Sequence, residues 1–182
     1  MTRAIRPLLL APLIVVITAC TVFSNDSNQR TPGIIIDDNV LENLVEKDIR
    51  ASDPGYEASH LVIVAYNGLV LIAGQVPSSE LKEKATAVAQ GFRRARVHNH
   101  LSVGPPTAML ARTNDALLTS KIKSRLLAND EVSGLKIKVQ TENGVVFLLG
   151  LIPRAKADKA VEITSRVFGV QGIVKMFEHT DA

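Results

Sequence analysis

Two eleven-residue stretches constrain this chain more than any other feature: "NGLVLIAGQVP" at 67–77 and "NGVVFLLGLIP" at 143–153. Asn-Gly opens both, a second Gly follows six residues after the first, Pro closes both, and the copies lie 76 residues apart. Asn-Gly between apolar runs is the strongest short hairpin signal, because a type I′ turn needs positive φ at both central positions. The likeness extends outward. At the same offset Leu61 matches Ile137, Ile63 matches Val139, Val70 matches Val146, Ile72 matches Leu148, Phe92 matches Phe168, Val97 matches Ile173 and Leu101 matches Phe177. Upstream, a one-residue shift aligns Asp38 with Asp115, Leu41 with Leu118, Val45 with Ile122 and Ile49 with Leu126. The chain is therefore one unit used twice, at 37–103 and 112–178, with a linker at 104–111 that contains Pro105-Pro106 and a short tail at 179–182. Each unit is small for a self-sufficient core, so the two are expected to pack together.

Both units read as α-β-β-α-β. Asp38 and Asp115 stand where an N-cap is wanted. Apolar residues then recur every four positions, as a helix buried on one side requires. Strands are predicted at 61–66 and 69–75, and at 136–141 and 145–151. A helix follows each closing Pro, and last strands are predicted at 97–103 and 173–179. In the first strand of unit two, Lys136, Lys138 and Gln140 alternate with Ile137 and Val139, which predicts one wet face. The equivalent strand of unit one carries Val62, Val64 and Tyr66 opposite Leu61, Ile63 and Ala65. A strand apolar on both sides has to be covered on both, so Val62, Val64 and Tyr66 are expected to form an interface, with unit two or with another protein.

The first residues point to export. Arg3 and Arg6 precede an apolar run of about ten residues, too short for a bilayer-spanning helix of about 20 and suited to a signal peptide. The run ends in "ITAC", with Cys20 the only Cys, so no intramolecular disulfide can form. This stretch resembles the lipobox of bacterial lipoproteins. The resemblance implies a signal peptide at 1–19, acylation of Cys20 (palmitate among the expected acyl groups) and a tether at 20–36. It also implies an outer-membrane destination, since Thr21 rather than Asp follows the Cys. Without Arg3 and Arg6, 19 basic residues face 18 acidic ones, a net charge of about +1. That near-neutral balance does not support global steering toward nucleic acid.

An α-β-β-α-β unit with a hairpin reading N-G-x-V-x-L-x-G-x-V-P, a helix rich in Ala and Lys and a short final strand resembles the BON domain. Unit two adds "VFGVQGIVKMF", close to that family's Gly-Val turn into the last strand; "FRRARVHNHL" of unit one has no Gly there. The resemblance implies an α+β fold of two tandem BON domains, each a small mixed three-stranded sheet packed by two helices. A lipobox followed by two such units is similar to the dual-BON outer-membrane lipoproteins that face the periplasm and help maintain envelope integrity. That implies phospholipid binding without catalysis.

No nucleophile elbow, zinc-protease motif, phosphate loop or paired-Cys site is present, so no enzyme and no cofactor is expected. His98 and His100 share one strand face, but zinc sites take three or four protein ligands and no third is evident; no metal is expected. Nucleic acid is not expected either, since only 4% of residues are aromatic and no stacking platform appears.

The charged helices discriminate further. The first helix of unit one carries Asp38, Glu42, Glu46 and Asp48 against Lys47 and Arg50. That of unit two carries Lys121, Lys123 and Arg125 and no acid from 116 to 129. Unit one has 7 bases and 9 acids, unit two 11 and 7. Lys121 and Arg125 are four apart, a like-charge spacing that weakens a helix and that an anionic surface would offset. Leu117, Ser120, Lys121, Ser124 and Arg125 are thus the expected phospholipid-binding residues. The alternative is a periplasmic adaptor for envelope proteins, using the apolar face of unit one.

Overall fold

The computed structural model describes residues 30–181. The expected signal peptide, Cys20 and the tether up to residue 29 lie outside the described residues. Unit one comprises α1 (Pro32–Ser52), β1 (His60–Tyr66), β2 (Leu69–Val76), α2 (Ser79–Gln90) and β3 (Arg96–Val103). Unit two comprises α3 (Met109–Leu127), β4 (Ile137–Glu142), β5 (Val145–Leu151), α4 (Arg154–Ser165) and β6 (Gly172–Glu178). Each sheet has the order of the sequence. Its first two strands are antiparallel and its last joins in parallel after the helical crossover. The α+β class and the two mixed three-stranded sheets are as the sequence predicts.

Both Asn-Gly pairs form the expected turns, with φ of 52° and 76° at Asn67-Gly68 and 48° and 74° at Asn143-Gly144. The later glycine of unit one serves a different need. A Cβ on Gly74 would lie 2.0 Å from the His60 carbonyl oxygen on the paired strand. The motif is therefore turn and strand scaffold.

Two sequence expectations fail at the helix starts. Asp38 and Asp115 are not N-caps. α1 begins at Pro32, capped by Thr31, whose hydroxyl accepts from the Ile34 amide at 3.3 Å. Proline suits the first turn because its missing N–H is not needed there, so the tether ends earlier than 36. α3 begins at Met109 with no side-chain cap. Both aspartates sit inside their helices, buried, and reach the hairpins. Asp38 accepts from the Asn67 and Gly68 amides at 2.7 and 3.0 Å, and Asp115 from those of Asn143 and Gly144 at 2.7 and 2.9 Å. The carboxylates satisfy the turn amides that the tight hairpin leaves unpaired.

The helices cover one face of each sheet. Val45, Ile49, Val70 and Ile72 lie in one core, and Ile122, Leu126, Val146 and Leu148 in the other. The opposite faces meet each other. Val64, Tyr66, Leu69, Leu71 and Ala73 pack on Phe147, Leu149 and Met176, with Val62 at the half-buried margin. The molecule is thus helices, sheet, sheet, helices. The central strands β2 and β5 are buried on both sides, which their continuous apolar runs suit.

The face of β4 expected to be wet is another correction. Lys138 and Gln140 are half-buried, because that face looks toward unit one. Lys138 Nζ donates to Glu42 Oε1 at 2.5 Å and to the Ala65 carbonyl at 3.3 Å. Its apolar stem lies along the seam while its charge finds a carboxylate at the edge. Other polar ties rim the seam. Tyr66 donates to the Lys136 carbonyl at 2.6 Å, and Gln75 to Glu142 at 2.9 Å. His60 Nε2 lies 3.3 Å from Glu142. Asn67 donates to Glu178 at 2.6 Å, and Arg96 forms an ion pair with the same carboxylate.

Removing one aspartate should leave two amides without acceptors. Asp115→Ala should cost about 1.5–3 kcal/mol, the range for hydrogen bonds to a charged group, read as a lower urea midpoint. A shift no larger than that of an exposed substitution would refute the clamp. The seam carries a pH dependence. Burial pushes the Glu178 carboxyl up, but hydrogen bonds from Asn67 and Arg96 outweigh it and hold it below the usual range. A depressed carboxylate stabilises the fold fully above its unfolded value, about 4.3, and loses that contribution as pH falls through the folded value. The stability gap between the wild type and Glu178→Gln should be constant above about pH 5.5 and shrink below about pH 4.

Candidate functional site

Helix α3 has three sides. Leu118, Ile122 and Leu126 are buried beneath it. One flank turns to unit one: Arg112, Ala116 and Thr119 line a depression with His60 and Val62, and Lys123 and Leu127 line another with Arg30 and Tyr66. The other flank turns away from unit one. There Leu117 and Lys121 border a shallow groove closed by Asn143, Gly144, Phe168 and Gly169. Arg125 lies further along this flank and donates to the Arg166 carbonyl at 3.3 Å. Ser120 and Ser124 form the exposed ridge between the flanks. All five residues singled out from the sequence are exposed, and the fold sets Leu117, Lys121 and Arg125 together on the flank facing away from unit one.

The charges on α3 are not absorbed by the fold. Among the described residues neither Lys121 nor Lys123 makes an ion pair, and Arg125 has only the long bond to a carbonyl. The cations of the seam, Arg30, Arg96 and Lys138, all pair with acids.

Unit one has the same groove with different contents. Val40, Leu41 and Leu44 of α1 face Asn67, Gly68, Arg93 and Arg94. The sequence alignment of Phe92 with Phe168 is corrected here. Phe92 packs on its core, and its carbonyl accepts from Ala95. In unit two Val167 is the buried residue, and its carbonyl accepts from Val170. The offset is 75 in this loop, so Phe168 corresponds to Arg93. Arg94, with φ 75°, stands where Gly169 has φ 103°. The missing Gly of unit one leaves the turn intact, carried by an arginine in a left-handed conformation. Phe168 is 96% exposed and is not among the expected site residues, because a fixed offset paired it with Phe92. The gap could have been found by aligning Gly169 with the residue that must take positive φ.

The remaining expected site residues lie elsewhere. Val64 and Tyr66 are buried in the seam and Val62 is at its margin, so this face of unit one is covered by unit two. His98 and His100 lie on β3 at exposed positions. The His100 ring meets Phe147 edge-on at 5.1 Å, and its pKa is lowered first by burial and then by the nearby charges of His98 and Lys82. Among the described residues no group of three or more His, Cys, Asp or Glu could hold a metal ion.

The profile of the BON domain matches residues 37–105 and 114–180, one copy on each unit. The chain belongs to the BON-domain family. The outer membrane lipoprotein DolP of Haemophilus influenzae is 38% identical to it, over 85% of this chain and 81% of that one. The 21 kDa hemolysin of Actinobacillus pleuropneumoniae is 36% identical, over 82% and 78%. The osmotically-inducible protein Y of Escherichia coli is 28% identical, over 81% and 75%.

Cations that hold nothing in the fold can be removed without harm to it. Lys121→Ala in BON domain 2 should leave the unfolding free energy within about 0.5 kcal/mol of the wild type, as read by urea denaturation. A loss above about 1.5 kcal/mol would show that Lys121 serves the structure.

Proposed function

We propose that this chain is a non-catalytic lipoprotein of the bacterial envelope. Acyl groups on Cys20 hold it to the outer membrane on the periplasmic side, and α3 of BON domain 2 binds anionic phospholipid there. In this role it supports outer-membrane integrity. The observation that carries the reading is the exposed flank of α3 that faces away from unit one, whose Lys121 and Arg125 no carboxylate neutralises. The Haemophilus relative, by name an outer membrane lipoprotein, supports the location, as does the resemblance of "ITAC" to a lipobox.

The two attachments differ in kind. Acyl chains give stable but unspecific anchoring, and two or more are needed. The helix adds selectivity for charge: near an anionic bilayer each Lys or Arg contributes about 1 kcal/mol. Binding from solution is therefore modest, measurable at low salt and weakened as salt rises. Tethering makes it effective, because an anchored domain meets the surface at high local concentration. The adaptor alternative through Val62, Val64 and Tyr66 loses its surface, since that face already packs on unit two.

The test uses the chain from residue 20 onward with Cys20→Ser, so that no acyl group holds it. It should cosediment with phosphatidylglycerol-containing vesicles, less so as salt rises, and not with neutral vesicles. Lys121→Glu combined with Arg125→Glu should weaken binding by at least about 30-fold, the equivalent of two lost cations. Unchanged binding by the double variant would overturn the assignment to α3.

A further inference from the structure

The geometry points to Phe168 as an apolar wedge that enters the bilayer beside the cations of α3. This rests on the phospholipid reading above and adds to it an insertion site on a different element. Phe168 is the most exposed large apolar residue among those described, at 96%. It faces Leu117, 57% exposed, across the groove. Leu110, 74% exposed, lies seven residues before Leu117 and so on the same side of the helix. Lys121 and Arg125, which no carboxylate neutralises, stand beside this apolar group, both exposed, whereas Arg166 pairs with Glu162. An apolar centre with a cationic rim is the composition that seats a protein at the boundary between headgroups and acyl chains of an anionic bilayer.

The loop holds Phe168 out by construction. Val167 before it is buried in the core. Gly169 after it has φ 103°, and the Gln171 amide donates to the Gly144 carbonyl at 2.9 Å. The side chain is thus presented from a loop pinned on both sides, which lowers the ordering cost of insertion. The equivalent position in unit one is Arg93, beside an α1 that carries exposed Asp37 and Asp48. Only the groove of unit two joins a wedge to a helix whose one acid, Asp115, is buried and taken up by the Asn143 and Gly144 amides.

The anchor is compatible with this placement. Arg30 stacks 4.0 Å over the Tyr66 ring, pairs with Asp38, and lines a depression with Lys123 and Leu127 on the other flank of α3. Arg30, the first described residue, therefore lies beside that helix. A helix is about 10–12 Å across, and the ten residues from Cys20 to Arg30 can span up to about 35 Å. The acyl anchor and Phe168 can meet one bilayer surface with α3 lying along it.

The sequence contains no Trp, so Phe168→Trp supplies a single indole probe at a position too exposed to disturb folding. The chain from residue 20 with Cys20→Ser and Phe168→Trp is mixed with phosphatidylglycerol vesicles, with neutral phosphatidylcholine vesicles, and with anionic vesicles whose acyl chains are brominated. A blue shift and bromine quenching on anionic vesicles are expected, and neither on neutral ones. Arg93→Trp, at the equivalent loop of unit one, should stay unquenched. Phe168→Ala should bind about tenfold more weakly with an unchanged salt dependence, because the cations remain. Cosedimentation without quenching, equal quenching at residue 93, or wild-type binding by Phe168→Ala would overturn the wedge and leave the α3 reading standing. No cosedimentation of the wild type or the variants would overturn both.

Discussion

Each unit depends on one buried carboxylate that accepts two amides from a hairpin turn. Asp38 ties α1 to the Asn67-Gly68 turn, and Asp115 ties α3 to the Asn143-Gly144 turn. A type I′ turn exposes its central amides, and covering them with a helix would leave them without water. The aspartate resolves this conflict and sets the helix against the end of the hairpin. With that end pinned, the apolar stripe of the helix meets one face of the sheet, and the sheet's other face is left to be covered. The carboxylate holds the corner from which both layers are built.

The uncovered faces solve each other's problem. A three-stranded sheet with helices on one side leaves about half its apolar surface in water, which a unit of this size tolerates poorly. Here the two sheets close on one another over Leu69, Leu71, Phe147, Leu149 and Met176. The polar ties lie around this apolar seam, where carboxylates such as Glu42 and Glu178 accept from lysine, arginine, asparagine and backbone amide across short distances. The seam also occupies the unit-one surface that could otherwise recruit a second protein. That leaves the outer helices and the α-to-β loops as the surfaces facing outward.

Duplication then lets the two copies diverge where the fold does not constrain them. The clamp aspartates, the turn, the close strand contact at Gly74 and the alternating core are shared or closely matched. The groove beside the hairpin is built twice but furnished differently: Leu44 and Arg93 in one, Lys121 and Phe168 in the other. Loop conformation is conserved through different chemistry, since Arg94 takes the left-handed backbone that Gly169 takes more cheaply.

What the sequence determined by itself was the repeat and everything local to it. The element order, the hairpins and the strand positions follow from Asn-Gly and from apolar spacing. So do the basic character of α3 and the exposure of Leu117, Lys121 and Arg125, because period and charge are properties of neighbours along the chain. Three things were decided only by tertiary structure. Asp38 and Asp115 read as caps because a cap is the local use of an aspartate before an apolar helix; the amides that actually donate to them lie about 30 residues away. Lys138 and Gln140 read as a wet face because alternation shows that two faces differ and not what covers the second. Phe168 was paired with Phe92 because a constant offset hides a one-residue slip in a loop, where only the backbone turn reveals which residue points inward. In each case the sequence specified the side chain's chemistry, and the packing of distant segments selected which surface that chemistry would meet.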